Sequence, residues 1–359
     1  MSKILETASS LSGPRSEEAG AHSNPGSLLP FVYEPLDLEK QVFRLIRVQK
    51  REGNGPIEIE MWHSEMSTQY RCLSYMWGEE TQTYGLLLNG KSFGVRKNLY
   101  HFLEFASRVY PEETLWIDAI CIDQTNIAER GHQVQRMGAI YSKADEVLVW
   151  LSECRAFLKS KFGEWSDVKR LTKSPDCVQL ECYPDDDEQM AQLCSNPYWN
   201  RAWIAQEILL QRNVRILFNG HDLFMPWPSL GNALPRTPDW QTKTTPQLSM
   251  VRGLLNTWYE RHGHSIADMS EMKWNRALSI RPNQTITPSI WDLLATRATA
   301  ACSDSRDRVY SLVALLHQEA NQRLVVDYGE NKSDFLLRLL TTLKGWHIPG
   351  RIALLICAL

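Results

Sequence analysis

The stretch RAWIAQE, residues 201–207, sets an indole and a carboxylate four residues apart. On a helix, Trp203 and Glu207 would lie on one face, one turn from each other. Two readings of the pair are open. Either Glu207 is an ordinary carboxylate that meets solvent or pairs with Arg201 or Arg212 while Trp203 fills the core, or it is held against an aromatic wall to do chemistry. In the second case Trp203 would exclude water and could raise the carboxyl pKa. Upstream, Asp118 and Asp123 flank the end of the apolar run LWIDAICID. Ligands of open parallel sheets bind beyond the carboxyl ends of the strands, so both aspartates are placed to face a cleft. Asp123 reads better as a cap for the helix that follows, whereas Asp118 is either a cleft residue or the partner of an arginine. Ser74, Tyr75, Trp77 and Gly78 close the earlier strand YRCLSYMWG. Gly78 suits a tight strand-to-loop turn, and Trp77 either stacks on a nucleotide base or plugs the core.

Other chemistries find less support. No GxGxxG follows the first apolar strand, so ordinary dinucleotide-cofactor binding is not indicated. The eight cysteines form no metal pattern, because the pair Cys177 and Cys182 lacks a second pair or a His partner at ligand spacing. His132 reads as an exposed helix residue, and His262 and His264 have no Cys or carboxylate beside them at ligand spacing. A formal net charge of −3 argues against a nucleic-acid binder. The N-terminus has no apolar core of signal-peptide type and no run approaches a membrane span, so the chain reads as soluble, reduced and cytoplasmic.

The elements that must position these residues follow from periodicity. Residues 1–30, rich in Ser, Gly and Pro, read as a disordered tail. QVFRLIRVQ and IEIEMWHS alternate apolar and polar residues around Gly53–Pro56 and predict a β-hairpin within 41–64. Between 70 and 220, apolar strands alternate with helical stretches, which predicts a mainly parallel sheet covered on both faces. Asn126 and Glu129 resemble a capping box for the helix over 126–144. Residues 152–195, with YPDDDEQ, read as an insertion. Asn196 and Pro197 then start a helix expected to run through WIAQEILL to about Asn213. From 221 to 359 the pattern is looser and mostly helical, and in DSRDRVY the residues Arg306 and Asp307 are expected to tie these helices to the α/β part. The chain of 359 residues stops in the apolar run RIALLICAL, which reads as a truncated gene product or a short form.

Three segments, YRCLSYMWGEE, LWIDAICIDQTNIAERGHQVQRMGAIYSKADEVLVWL and YWNRAWIAQEILL, closely resemble the fungal heterokaryon-incompatibility (HET) domain in order and in spacing. The resemblance covers roughly residues 31–220, with SDSRDRVYSLVALL and VVDYGENKSDF similar to the part downstream. It departs in Glu79 and Glu80, where the family often has Asp after Trp-Gly, and in WLS for the usual WLG. The resemblance implies a role in allorecognition and programmed cell death after fusion of unlike fungal individuals. HET domains have been likened to Toll/interleukin-1 receptor (TIR) domains, some of which cleave NAD with a Glu four residues after a Trp. It therefore implies a three-layer α/β fold with a TIR-like (flavodoxin-like) sheet, an N-terminal β-hairpin and a helical C-terminal region. It also implies NAD as a substrate and no cofactor or metal. Glu207 would be the catalytic carboxylate, with Ser74, Tyr75, Trp77, Gly78, Asp118 and Trp203 lining the cleft. The alternative is a non-enzymatic module that signals by self-association and protein partners.

Overall fold

Two β-ribbons and a run of apolar strands join into one sheet in the computed structural model, which describes residues 28–151, 178–179, 193–218, 223–233, 246–262, 294–295, 297–315, 324–342 and 351–359. Most of the expected tail and of the expected insertion lie outside the described residues, as does His264. Among the described residues the strands are β1 Val42–Val48, β2 Glu58–Glu65, β3 Arg71–Tyr75, β4 Thr83–Leu88, β5 Lys91–Arg96, β6 Thr114–Trp116, β7 Glu146–Leu151, β8 Val178–Gln179, β9 Val214–Phe218 and β10 Leu223–Pro226. They lie side by side in the order β5-β4-β2-β1-β6-β3-β7-β9-β10-β8.

The pattern of each strand matches its place. β2 alternates buried and exposed residues and pairs antiparallel with β1, Leu45 opposite Trp62. β3 and β7 are nearly continuous apolar runs, buried along almost their whole length and paired in parallel, Ser74 opposite Val149. The parallel centre is β6-β3-β7-β9. The sheet as a whole is mixed, which corrects the expectation of a mainly parallel one. The pairs β1–β2, β1–β6, β4–β5 and β9–β10 are antiparallel; between β4 and β5 the two-residue turn Asn89–Gly90, both at positive φ, can only reverse the chain. From β3 the chain passes to β6 on one side and then to β7 on the other. The carboxyl end of β3 is therefore the topological switch point of the parallel centre, where such sheets open a crevice.

The helices among the described residues are α1 Lys97–Val109, α2 Asp118–Cys121, α3 Ile127–Lys143, α4 Ile204–Leu209, α5 Trp227–Ala233, α6 Pro246–His262, α7 Asp307–Val313, α8 Lys332–Thr342 and α9 Arg351–Ala358. In α3 Asn126 accepts the Glu129 backbone N–H, as a cap should. The Glu129 carboxylate does not return to Asn126. It is buried with Arg44 in a bidentate pair, at 2.6 and 2.9 Å, and also accepts the Asp123 N–H. Asp123 itself accepts from Thr125, in the turn before the helix rather than at its cap. Gly138 of α3 meets α7 so closely that a Cβ there would stand 2.3 Å from the Ala314 Cβ.

The expected helix from Pro197 to about Asn213 is broken. A 3-10 turn spans Pro197–Asn200, Arg201 is extended, and α4 begins only at Ile204. The cause is distant: Arg201 pairs with Ala301 in a parallel bridge, with Ala202 N–H donating to the Ala301 carbonyl at 3.0 Å. Past residue 220, β10 still belongs to the sheet before the helices follow. No helix among the described residues is long and apolar enough to cross a membrane.

Candidate active site at the carboxyl end of the central strand

Glu207 is 1% exposed, so it is no surface carboxylate. Arg201 grips it bidentately, Nη1 to Oε2 at 2.9 Å and Nη2 to Oε1 at 3.1 Å. The break in the helix makes this possible: extended at Arg201, the chain turns its guanidinium back onto the first turn of α4. The Ser74 hydroxyl, near the end of β3, donates to Glu207 Oε2, and the Tyr198 hydroxyl lies 2.5 Å from the same Ser74 oxygen. A buried carboxylate is tolerated only with such compensation.

Asp118 lies just beyond β6, at the start of α2. That turn is pinned from beneath. Arg44 donates to the Cys121 carbonyl at 3.1 Å and Tyr33 to that of Ile120 at 2.9 Å, while Gln124 holds the Asp118 carbonyl at 3.0 Å. The Asp118 carboxyl takes the Trp77 indole N–H at 2.9 Å and the Ala119 N–H at 2.7 Å. Burial raises it to about 6; Arg201 opposes the rise and Glu207 adds to it. Arg201 is thus electrostatically joined to both carboxylates. Burial works against its charge, yet Glu207 holds it above the usual arginine range.

The other candidates divide. Tyr75 is buried between these charges, and desolvation pushes its phenol up. Trp77 is half-buried at the rim, with the Arg96 guanidinium over its ring at 5.2 Å. Gly78 sits at φ +76°, where a side chain would be strained, and its carbonyl accepts from Arg96 at 2.9 Å. Trp203 departs from the expected wall. As the residue before α4 it keeps the helical spacing, with Glu207 N–H donating to its carbonyl, but its indole hydrogen-bonds the Asp307 carboxylate. Trp203 therefore joins the site to the C-terminal region.

Ser74 with Glu207 and Trp77 with Asp118 thus form two hydrogen-bonded pairs at the switch-point end of the sheet, coupled through the charge of Arg201. Two further residues join the site: Tyr198, whose signal lies in the same YWNRAWIAQE stretch, and Arg297, 96 residues beyond Arg201, where no local pattern points to it. A separate cleft of about 610 Å³, lined by Arg71, Glu146, Arg212, Arg215 and Trp258 among others, opens at the amino ends of β3, β7 and β9. It lies at the opposite end of the strands from this site. Among the described residues no cluster of three or more His, Cys, Asp or Glu is arranged to hold a metal.

Residues 70–207 match the family model described as heterokaryon incompatibility protein (HET). This stretch is similar to the HET domain. Heterokaryon incompatibility protein 6, OR allele, of Neurospora crassa is 29% identical to this chain over 185 residues, covering 39% of it. The aligned part spans 27% of that relative's length. No solved structure matches. Ser74, Tyr75, Trp77, Gly78, Asp118, Arg201 and Glu207 all fall within the residues that the family model matches.

Proposed function

We propose that this HET-domain protein acts in fungal heterokaryon incompatibility, in the cytoplasm, and that it drives cell death by cleaving NAD at Glu207. The observation that carries the reading is the desolvated Glu207 carboxylate at the switch point, coupled to Asp118 by charge through Arg201. Breaking the nicotinamide–ribose bond develops positive charge on the ribose, and a preorganised carboxylate in a water-poor site stabilises that charge. Asp118, raised to about 6, would exchange a proton with an attacking water or a ribose hydroxyl near neutral pH. Trp77 at the rim would stack on a base, with Gly78 letting the chain turn away. NAD is then a substrate and no cofactor is needed. The likeness of HET to TIR domains supports the same chemistry and an active form that is self-associated.

A second reading has its own observation. Both oxygens of Glu207 are taken, by Arg201 and Ser74, as they would be in a purely structural pair. Under it, the domain signals by recruiting protein partners. Nicotinamide release from NAD by the purified chain, followed over a range of protein concentrations that includes the assembled state, separates the two. The enzymatic reading requires release that depends on Glu207. No release at any concentration, from a chain that kills cells, would leave the signalling module.

A further inference from the structure

The family match ends at Glu207, inside α4, but the turn that aims Arg201 at Glu207 is held from far outside the match. Arg297, 3% exposed, donates Nη2 to the Arg201 carbonyl at 3.0 Å and Nη1 to the Trp199 carbonyl at 3.5 Å. Ala301 bonds on both sides of the same turn, giving its N–H to Asn200 at 2.6 Å and taking that of Ala202 at 3.0 Å. Asp307 holds the Trp203 indole. The extended turn at Arg201, whose own N–H stays on the Tyr198 carbonyl, thus takes its long-range partners from residues 297–301.

Arg297 is an expensive way to make these contacts. Burial and the neighbouring Arg201 push it down to about 10, and its Nε has no hydrogen-bond partner among the described residues. A cation set in the interior on two main-chain carbonyls, beside a second cation, costs stability unless the geometry it enforces is needed. The negative charge of Glu207 offsets the cost chiefly for Arg201 and only in small part for Arg297. If the turn relaxed toward the continuous helix that its sequence favours, the Arg201 side chain would leave Glu207.

We infer that Arg297 is a positioning residue of the candidate site: by holding the Trp199 and Arg201 carbonyls it fixes the extended turn from which Arg201 clamps Glu207. The HET unit that presents this carboxylate therefore includes the C-terminal segment. The inference rests on Glu207 being the functional group of the site, but its test needs no turnover.

The full chain is treated with a water-soluble carbodiimide and glycine ethyl ester, and the labelling rate of each carboxyl is read by peptide mass spectrometry. In the unaltered chain Glu207 should stay unlabelled while the exposed Glu60 reacts. In Arg297→Met, Glu207 labelling should rise on the order of tenfold, as for a local opening made easier, while Glu129, buried on Arg44, keeps its slow rate. Arg297→Lys, whose ammonium still reaches a carbonyl, should fall between the two. A folded Arg297→Met chain with Glu207 still protected overturns the inference. So does a parallel rise at Glu129, which would mean general loosening. If the Met variant does not fold, the Lys variant decides by the same comparison. Absence of NAD cleavage would leave these rates untouched, so failure of the enzymatic reading and failure of this one are distinct results.

Discussion

Two carboxylates in the same buried neighbourhood have been given different surroundings. Glu207 has a bidentate arginine and a hydroxyl, while Asp118 has only two neutral donors, the Trp77 indole and the Ala119 N–H. The difference has a pH signature. Asp118 is raised from 3.8 to about 6, so between those values the folded chain keeps a proton that the unfolded chain has lost. The group's contribution to stability is therefore present below about pH 4 and is lost as pH rises through about 6, by up to about 3 kcal/mol at 1.36 kcal/mol per unit. Asp118→Asn cannot titrate. Its melting temperature, measured against the unaltered chain from pH 4.5 to 7.5, should improve relative to it as pH rises. A gap that stays constant with pH contradicts the assignment. Much of this site was legible in the sequence, since Ser74, Trp77, Asp118 and Glu207 stand at strand ends and in helical spacing that local pattern reveals. Trp203 was legible only as a position; its partner Asp307 lies in another part of the chain, where no periodicity points back to it.

At the level of elements, α3 and α7 meet at Gly138 and Ala314 with no room for a methyl group. Gly138→Ala should cost about 1–3 kcal/mol by overpacking, although alanine favours the helix in isolation. Ala314→Gly in the same chain should restore part of the loss, and chemical denaturation of the two singles and the double would show the coupling. Local chemistry reveals the Asn126 cap and the β1–β2 ribbon, because an Asx residue before an apolar stripe and a strict alternation each determine a local answer. It could not reveal the break at Arg201. YWNRAWIAQEILL carries helical spacing throughout, and the extended residue is imposed by Ala301, whose own sequence context gives no strand signal. The mixed sheet was hidden for a similar reason: an apolar strand of a few residues does not state its direction.

For the molecule as a whole, the C-terminal region is fastened by charge. Arg306 binds Asp304 and the carbonyls of Asp327 and Glu330, and Asp307 bonds Tyr328 and Trp203. The tie to the α/β part runs through Asp307, while Arg306 organises the C-terminal segments around it. Arg306→Ala should lower stability by about 3 kcal/mol, because it strands Asp304 and two carbonyls; an unchanged melting temperature would rule that role out. Of these fastenings, the one from Asp307 to Trp203 reaches the turn that offers Glu207, and the central claim is that this carboxylate is the working group of the site. Glu207→Gln keeps shape and hydrogen-bonding capacity and removes the charge. The most direct measurement compares this variant with the unaltered full chain, at equal abundance and equal melting temperature, for cell killing and cellular NAD level after expression in a fungal host. Killing and NAD loss should fall together, on the order of 100-fold or more as for a removed electrostatic stabiliser. A folded Glu207→Gln chain that kills at full strength would contradict that claim.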